Sequence, residues 1–203
     1  TRKVPEIRTI RHYHDNPAYI NALKASVLNF WKKNKKPKKL IMSFHGVPKK
    51  SLAQGDPYHC ECLKTGRLLA KALELKDHEY EVCFQSRFGK AEWLKPYFTA
   101  VITQEAEKKD ASIHVICPGF SSDCLETLEE INIEGKSLFL EGGGKSFNYI
   151  PALNKRGVWI KSMEEIIRPH LAGWVDLKWS KKKEGSTSAE TKKMYNKNKV
   201  KSK

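Results

Sequence analysis

The sequence has 203 residues, 39% of them hydrophobic, and a formal net charge of +15. That is enough apolar material for the core of one sizeable domain with tails, and no run of about 18 apolar residues offers a helical membrane span. The charge is segregated: ten Lys and two Glu fall in Lys178–Lys203 and six more Lys in Trp31–Lys39, so the rest of the chain is close to neutral and is not a basic domain.

The chain starts at Thr1 without Met or a targeting pattern, which points to a piece of a longer or processed protein. Ile20, Leu23, Val27, Leu28 and Trp31 recur at helical spacing and predict a helix over 16–31, closed by the Lys-rich stretch with Pro37. Four apolar runs, 40–44, 80–84, 113–117 and 147–150, then alternate with helical patterns at about 60–75, 93–107 and 123–139. A last helix carries Met163, Ile166, Ile167 and Leu171 on one face. Parallel strands need crossover connections, so this alternation predicts an α/β fold: a parallel sheet of about four strands, doubly wound by helices. Three regions follow: a connecting segment and first helix over 1–39, an α/β domain over 40–175, and a Lys-rich tail over 176–203. The tail has too few apolar residues to order itself by burial and is expected to be disordered.

The cysteines, Cys60, Cys62, Cys83, Cys117 and Cys124, are odd in number and suit reduced thiols in a cytosolic or organellar matrix compartment. Cys60 and Cys62 lack the second knuckle that structural zinc normally takes. EGGGKS at 141–146 lacks the first Gly of a P-loop, since Phe139 stands there, and it precedes a strand instead of following one.

Ligands of open α/β sheets bind beyond the carboxyl ends of the strands. There the sequence places His45 (SFHGVP), Gln85, Ser86 and Arg87 (FQSRFG), Pro118 and Gly119 followed by Asp123 and Glu126 (CPGFSSDCLETLEEI), and Pro151 and Asn154 (NYIPALN). On an α-helical wheel with Leu125 at zero, Leu128 and Ile131 fall at about −60° and −120°, while Glu126, Glu130 and Asp123 fall at about +100°, +140° and +160°. An acidic face of this kind is ordinarily a solvated surface; here it begins at the edge that carries His45. A lone His after a strand is more often structural, Arg87 fits an ion pair as well as an anion clamp, and Trp93 fits an ordinary core aromatic.

Taken together and in order, SFHGVP, GDPYHCEC, FQSRFGKAEWLKPY, CPGFSSDCLETLEEI and NYIPALN resemble the ferrochelatase family, over about Ile7 to His170. The resemblance implies two chelatase-type, Rossmann-like domains with the porphyrin between them, of which this chain is the second, so that an N-terminal domain is missing. It implies insertion of Fe²⁺ into protoporphyrin IX, with His45 as base or metal contact and Glu126 as the essential carboxylate. Histidine's near-neutral pKa suits proton abstraction and neutral imidazole suits iron. Asp123 and Glu130 would continue an acidic path for metal or protons, on a segment that the resemblance gives a widened, π-helical turn. Gln85, Ser86 and Arg87 would lie near the porphyrin, Arg87 against a propionate, and Trp93 would pack on the macrocycle.

No cofactor beyond substrate Fe²⁺ is expected. Some relatives hold an iron–sulfur cluster on C-terminal cysteines, which this tail lacks. The expected location is cytoplasmic, or the matrix side of an organelle, with a peripheral membrane contact compatible and no specific nucleic-acid partner. Two alternatives stand beside this reading: a chelatase for another tetrapyrrole or metal, and an inactive chelatase-fold piece whose tail binds nucleic acid or anionic lipid.

Overall fold

The four apolar runs form one parallel sheet in the order β2-β1-β3-β4, where β1 is Lys39–His45, β2 Tyr80–Gln85, β3 Ser112–Ile116 and β4 Ser146–Ile150. The computed structural model of the chain describes residues 6–174 and 181–200. The chain divides into two compact units, Thr1–Ile166 and Ile167–Lys203.

Side chains alternate across a strand, and β1 uses that alternation to feed two cores. Leu40, Met42 and Phe44 join one cluster with Tyr19, Leu23 and Val27 of helix α1 (Pro17–Lys33) and Cys62, Leu69 and Ala70 of α3 (Tyr58–Ala72). Ile41 joins the other cluster, with Phe98, Val101 and Ile102 of α4 (Phe98–Ala106), and with Ile131 and Phe139. The sheet is therefore covered on both faces, as the doubly wound expectation requires. Helix α1 starts where Asn16 Oδ1 accepts from the Ala18 amide at 2.9 Å, with Pro17 in its first turn. A short α2 (Lys49–Ala53) follows β1. Helix α6 (Gly157–Ile167) buries Trp159, Ser162 and Ile166 and begins six residues before the expected Met163, because Trp159 belongs to its inward face.

The connections place a topological switch between β1 and β3, the central pair: β2 lies on one flank of β1 and the chain then returns past it to β3. His45 ends β1 at this point, and its ring stands 6.3 Å, centroid to centroid, from that of Phe120 beyond β3.

Two readings from periodicity need correction. The helix expected over 93–107 is only Phe98–Ala106. Residues 92–94 instead run antiparallel along 47–49: Leu94 donates to the Val47 carbonyl at 3.0 Å and the Lys49 amide to that of Glu92 at 2.8 Å. Pro96 disfavours helical backbone just before it, and the pairing itself is non-local and leaves no periodicity in the sequence. The segment whose periodicity reads as an α-helix over 123–139 is a π-helix at Glu126–Gly135, the widened turn that the family resemblance implies, and passes into α5, Lys136–Glu141. Its wider winding buries Thr127, Ile131 and Gly135, while Leu125 and Leu128, assigned to the apolar face, are exposed. Gly135 is required by contact, since a Cβ there would come 2.6 Å from Phe98 Cε1.

In the second unit, Arg168–Leu171 is a 3-10 turn and Lys181–Val200 is helix α7. Of the tail expected to be disordered, residues 176–180 and 201–203 lie outside the described residues. Among the described side chains of α7, Met194 is 67% and Tyr195 65% exposed. The composition argument concerned burial, whereas the helix follows from the local propensity of its Lys, Glu, Ala and Met residues. Among the described residues, no helix is long and apolar enough to cross a membrane.

Candidate active site

His45 is half-buried at the carboxyl end of β1, in register with Gln85 at the end of β2. Its Nδ1 lies 2.6 Å from the Gly46 carbonyl oxygen. A carbonyl can only accept, so Nδ1 bears a hydrogen, and in the neutral form of the ring the lone pair lies on Nε2. The backbone around the ring is fixed from both sides. The Tyr58 hydroxyl donates to the His45 carbonyl at 2.8 Å, and the Gly46 amide donates to the Gln85 carbonyl at 2.8 Å. A Cβ on Gly46 would lie 2.7 Å from that same carbonyl and 3.1 Å from Trp93 Cε3, so only glycine fits beside the imidazole.

Gln85 is 3% exposed and fully used. Its Oε1 accepts from Ser43 Oγ at 2.8 Å and from the Cys117 thiol at 3.4 Å. Its Nε2 donates to the Glu126 carbonyl at 2.8 Å and to Glu130 Oε2 at 3.3 Å. Ser86, with φ of 62°, turns both its amide and its hydroxyl onto Glu130, each at 2.6 Å. Gln85, Ser86, Arg87 and Glu130 line one hollow of about 190 Å³ with Tyr97 and Thr99. The Arg87 guanidinium is exposed and sits 4.9 Å over the Tyr97 ring.

The loop from β3 into the π-helix is held by Asp123. Its carboxylate accepts from Tyr149 Oη at 2.6 Å, Asn154 Nδ2 at 2.7 Å, the Ala152 amide at 3.1 Å and Thr127 Oγ1 at 3.4 Å. Burial pushes this carboxyl's pKa up, but the hydrogen bonds from Tyr149, Asn154, Ala152 and Thr127 outweigh it and hold it below the ordinary value. Glu126, one turn on, is also held below the ordinary value, by its own backbone amide first, then by Cys124 and by the positive charge His45 can carry. The carboxyl is therefore ionised at neutral pH and within electrostatic reach of the imidazole.

The structure thus divides the three carboxyl-bearing candidates. The Glu126 carboxylate bonds only within its own turn, to its backbone amide and Cys124, while Asp123 and Glu130 are occupied in joining the π-helix to β4 and β2. Trp93 is brought to Gly46 by the 92–94 pairing, and its Nε1 is buried with no hydrogen-bond partner among the described residues. Sequence reasoning gave no role to Gly46, Phe120 or Tyr149. Gly46 follows His45 directly and was legible as a turn glycine, whereas Phe120 and Tyr149 reach the site only through the sheet order.

The sequence is similar to one family model and to curated proteins of the same family. The family model for ferrochelatase matches residues 1–171. A ferrochelatase of Nitrosomonas europaea is 57% identical over 179 residues, which is 88% of this chain and 49% of that protein. One of Methylobacillus flagellatus is 57% identical over 175 residues, 86% of this chain and 51% of that protein. One of a Janthinobacterium species is 58% identical over 173 residues, 85% of this chain and 47% of that protein. The chain spans about half the length of the curated relatives it matches. On these grounds the chain belongs to the ferrochelatase family.

Proposed function

We propose that this chain is the metal-handling half of a ferrochelatase that inserts Fe²⁺ into protoporphyrin IX in haem synthesis, with His45 and Glu126 acting at the reacting centre. The observation that carries the reading is the 2.6 Å hydrogen bond from His45 Nδ1 to the Gly46 carbonyl, which puts the lone pair of the neutral imidazole on Nε2, within electrostatic reach of an ionised Glu126. Metallation exchanges one Fe²⁺ for two pyrrole N–H protons. It requires an acceptor for those protons and a carboxylate to draw a hydrated cation toward the ring. Nε2 serves as proton acceptor or metal contact, and Glu126 receives the proton or holds the metal.

In this reading Asp123 and Glu130 act on the metal through position: each clamps one part of the π-helix, so that Glu126 keeps its place beside His45. Gln85 and Ser86 extend that clamp to β2, Arg87 offers a cation to a propionate, and Trp93 supplies an aromatic face for the macrocycle. The exposed Leu125 and Leu128 flank Glu126 and supply further apolar surface. An N-terminal domain, in the half of the relatives that this chain does not span, forms the other wall of the cleft. The five free cysteines support a reducing compartment, the cytoplasm or an organellar matrix. A peripheral membrane contact suits a porphyrin substrate, and no specific nucleic acid enters the scheme.

The test is loss of protoporphyrin fluorescence with Fe²⁺ or Zn²⁺, measured on this chain alone and on the chain joined to a ferrochelatase N-terminal half. The joined protein is expected to be active, and His45→Ala and Glu126→Ala each to lower its turnover about 100-fold or more. An inactive joined protein, or full activity in both variants, overturns the reading.

A further inference from the structure

We propose that His12, His14 and Glu61 form a second cation site, for a divalent first-row ion of the zinc class, distinct from the His45 and Glu126 pair. The three residues come from two places, the segment before α1 and the first turn of α3, and their ligand atoms all lie within 4.8 Å of one another. Glu61 Oε1 is 2.6 Å from His12 Nδ1 and 3.9 Å from His14 Nδ1. Metal–ligand distances of about 2.0–2.2 Å in a tetrahedron separate neighbouring ligand atoms by roughly 3.4 Å. The two distances to Glu61 bracket that spacing, and no pair of ligand atoms is more than 4.8 Å apart.

A second observation points to a ligand. His14 Nδ1 is buried and makes no hydrogen bond, a cost that structures seldom leave uncompensated. A cation between His14 and Glu61 would satisfy it. In the metal-free structure His12 Nδ1 and Glu61 Oε1 face each other at 2.6 Å, and a cation would take the place of the hydrogen between them.

The surroundings hold the donors in place. Thr65 Oγ1 donates to the His14 carbonyl at 2.7 Å, and the Asn16 amide closes a turn onto the Tyr13 carbonyl at 3.1 Å. Asp15 Oδ2 lies 3.8 Å from the other nitrogen of His14 and is itself fixed by Lys64 Nζ at 2.6 Å, which puts a carboxylate behind the metal-binding imidazole. Two imidazoles and one carboxylate suit Zn²⁺ over Mg²⁺ or Ca²⁺ and leave a fourth position for water or an anion. The three residues line a cavity of about 200 Å³ together with Phe44, Tyr58, Cys62 and Gly119.

The inference does not depend on the chelatase reading, and the test separates them. In the 203-residue chain carrying His45→Ala and Glu126→Ala, Co²⁺ is titrated and its visible absorption followed, then Zn²⁺ is added in competition. One Co²⁺ per chain is expected, with the intense d–d bands of a four-coordinate ion, displaced by one equivalent of Zn²⁺. His12→Ala, His14→Ala and Glu61→Gln are each expected to weaken Zn²⁺ more than about 100-fold, since even outer-shell changes cost about 10–100-fold. Because the His12 side chain is 36% exposed, His12→Ala keeps the metal-free fold and decides the matter if a variant at His14 or Glu61 unfolds. The pale spectrum of hydrated Co²⁺, or binding unchanged by His12→Ala, overturns the proposal.

Discussion

The Gln85 side-chain amide donates to the Glu126 carbonyl at 2.8 Å and thereby joins the end of β2 to the first residue of the π-helix. Because the same amide group also bonds Ser43, Cys117 and Glu130, one buried side chain fixes how far the Glu126 carboxylate stands from the strand end that carries His45. Gln85→Leu keeps the volume and removes every partner. It should lower unfolding stability by about 2–4 kcal/mol in urea titration, because several buried polar groups lose their bonds together. Turnover of the joined enzyme should fall with it, while Gln85→Glu, which keeps the acceptor but not the donor, should recover part of the stability only.

Gly46→Ala tests whether the site tolerates any side chain beside the imidazole. The added methyl would meet the Gln85 carbonyl at 2.7 Å and Trp93 at 3.1 Å. One of the two must move, at a cost of about 1–3 kcal/mol for overpacking. Porphyrin binding, followed by quenching of tryptophan fluorescence, is expected to weaken, since Trp93 is the more movable neighbour. An unchanged urea midpoint together with unchanged binding would contradict the contact.

Asp123 and Glu126 should separate cleanly. Asp123→Asn removes an acceptor from a set of four donors and should cost about 1–3 kcal/mol of stability. Glu126→Gln should leave the urea midpoint unchanged and abolish most metallation in the joined enzyme. The Asp123 contribution has a definite pH dependence. Its folded pKa lies below the unfolded 3.8, so the stabilisation is complete above that value and is lost as pH falls through the folded pKa. Asp123→Asn should therefore flatten the acid limb of the stability curve below about pH 4.

His114 makes a second, higher acid limb. It is 1% exposed on β3; burial lowers its pKa from 6.5 to about 4, and its Nδ1 accepts from Trp31 Nε1 at 3.0 Å. The unfolded chain binds a proton that the folded chain refuses. Stability is thus full above pH 6.5 and falls toward pH 4, with a slope approaching one proton per molecule. Urea midpoints measured between pH 7 and 4 should show this decline in the native chain. They should lose it in His114→Asn, which retains an acceptor for Trp31 without titrating.

Much of the site was legible in the residues themselves. The apolar runs in β1 to β4 alternate with helical patterns, and short-range periodicity encodes both, so the parallel architecture and the strand-end positions of His45 and Gln85 followed from local pattern alone. The 92–94 pairing and the burial of Thr127 in place of Leu125 and Leu128 did not follow. The first depends on contact between segments 45 residues apart, and the second on a helix wound more widely than the periodicity assumed.

The sequence by itself determined the element types, the family likeness and the identities of the groups that can carry protons or metal, because those depend on composition and near-neighbour spacing. Only the tertiary structure decided which of those groups remain free. Three hydrogen bonds occupy Glu130, four occupy Asp123, and one carbonyl sets the tautomer of His45. It likewise brought His12 and His14 to Glu61, nearly 50 residues away, since hydrogen-bond partners and metal-ligand distances are fixed by packing between elements.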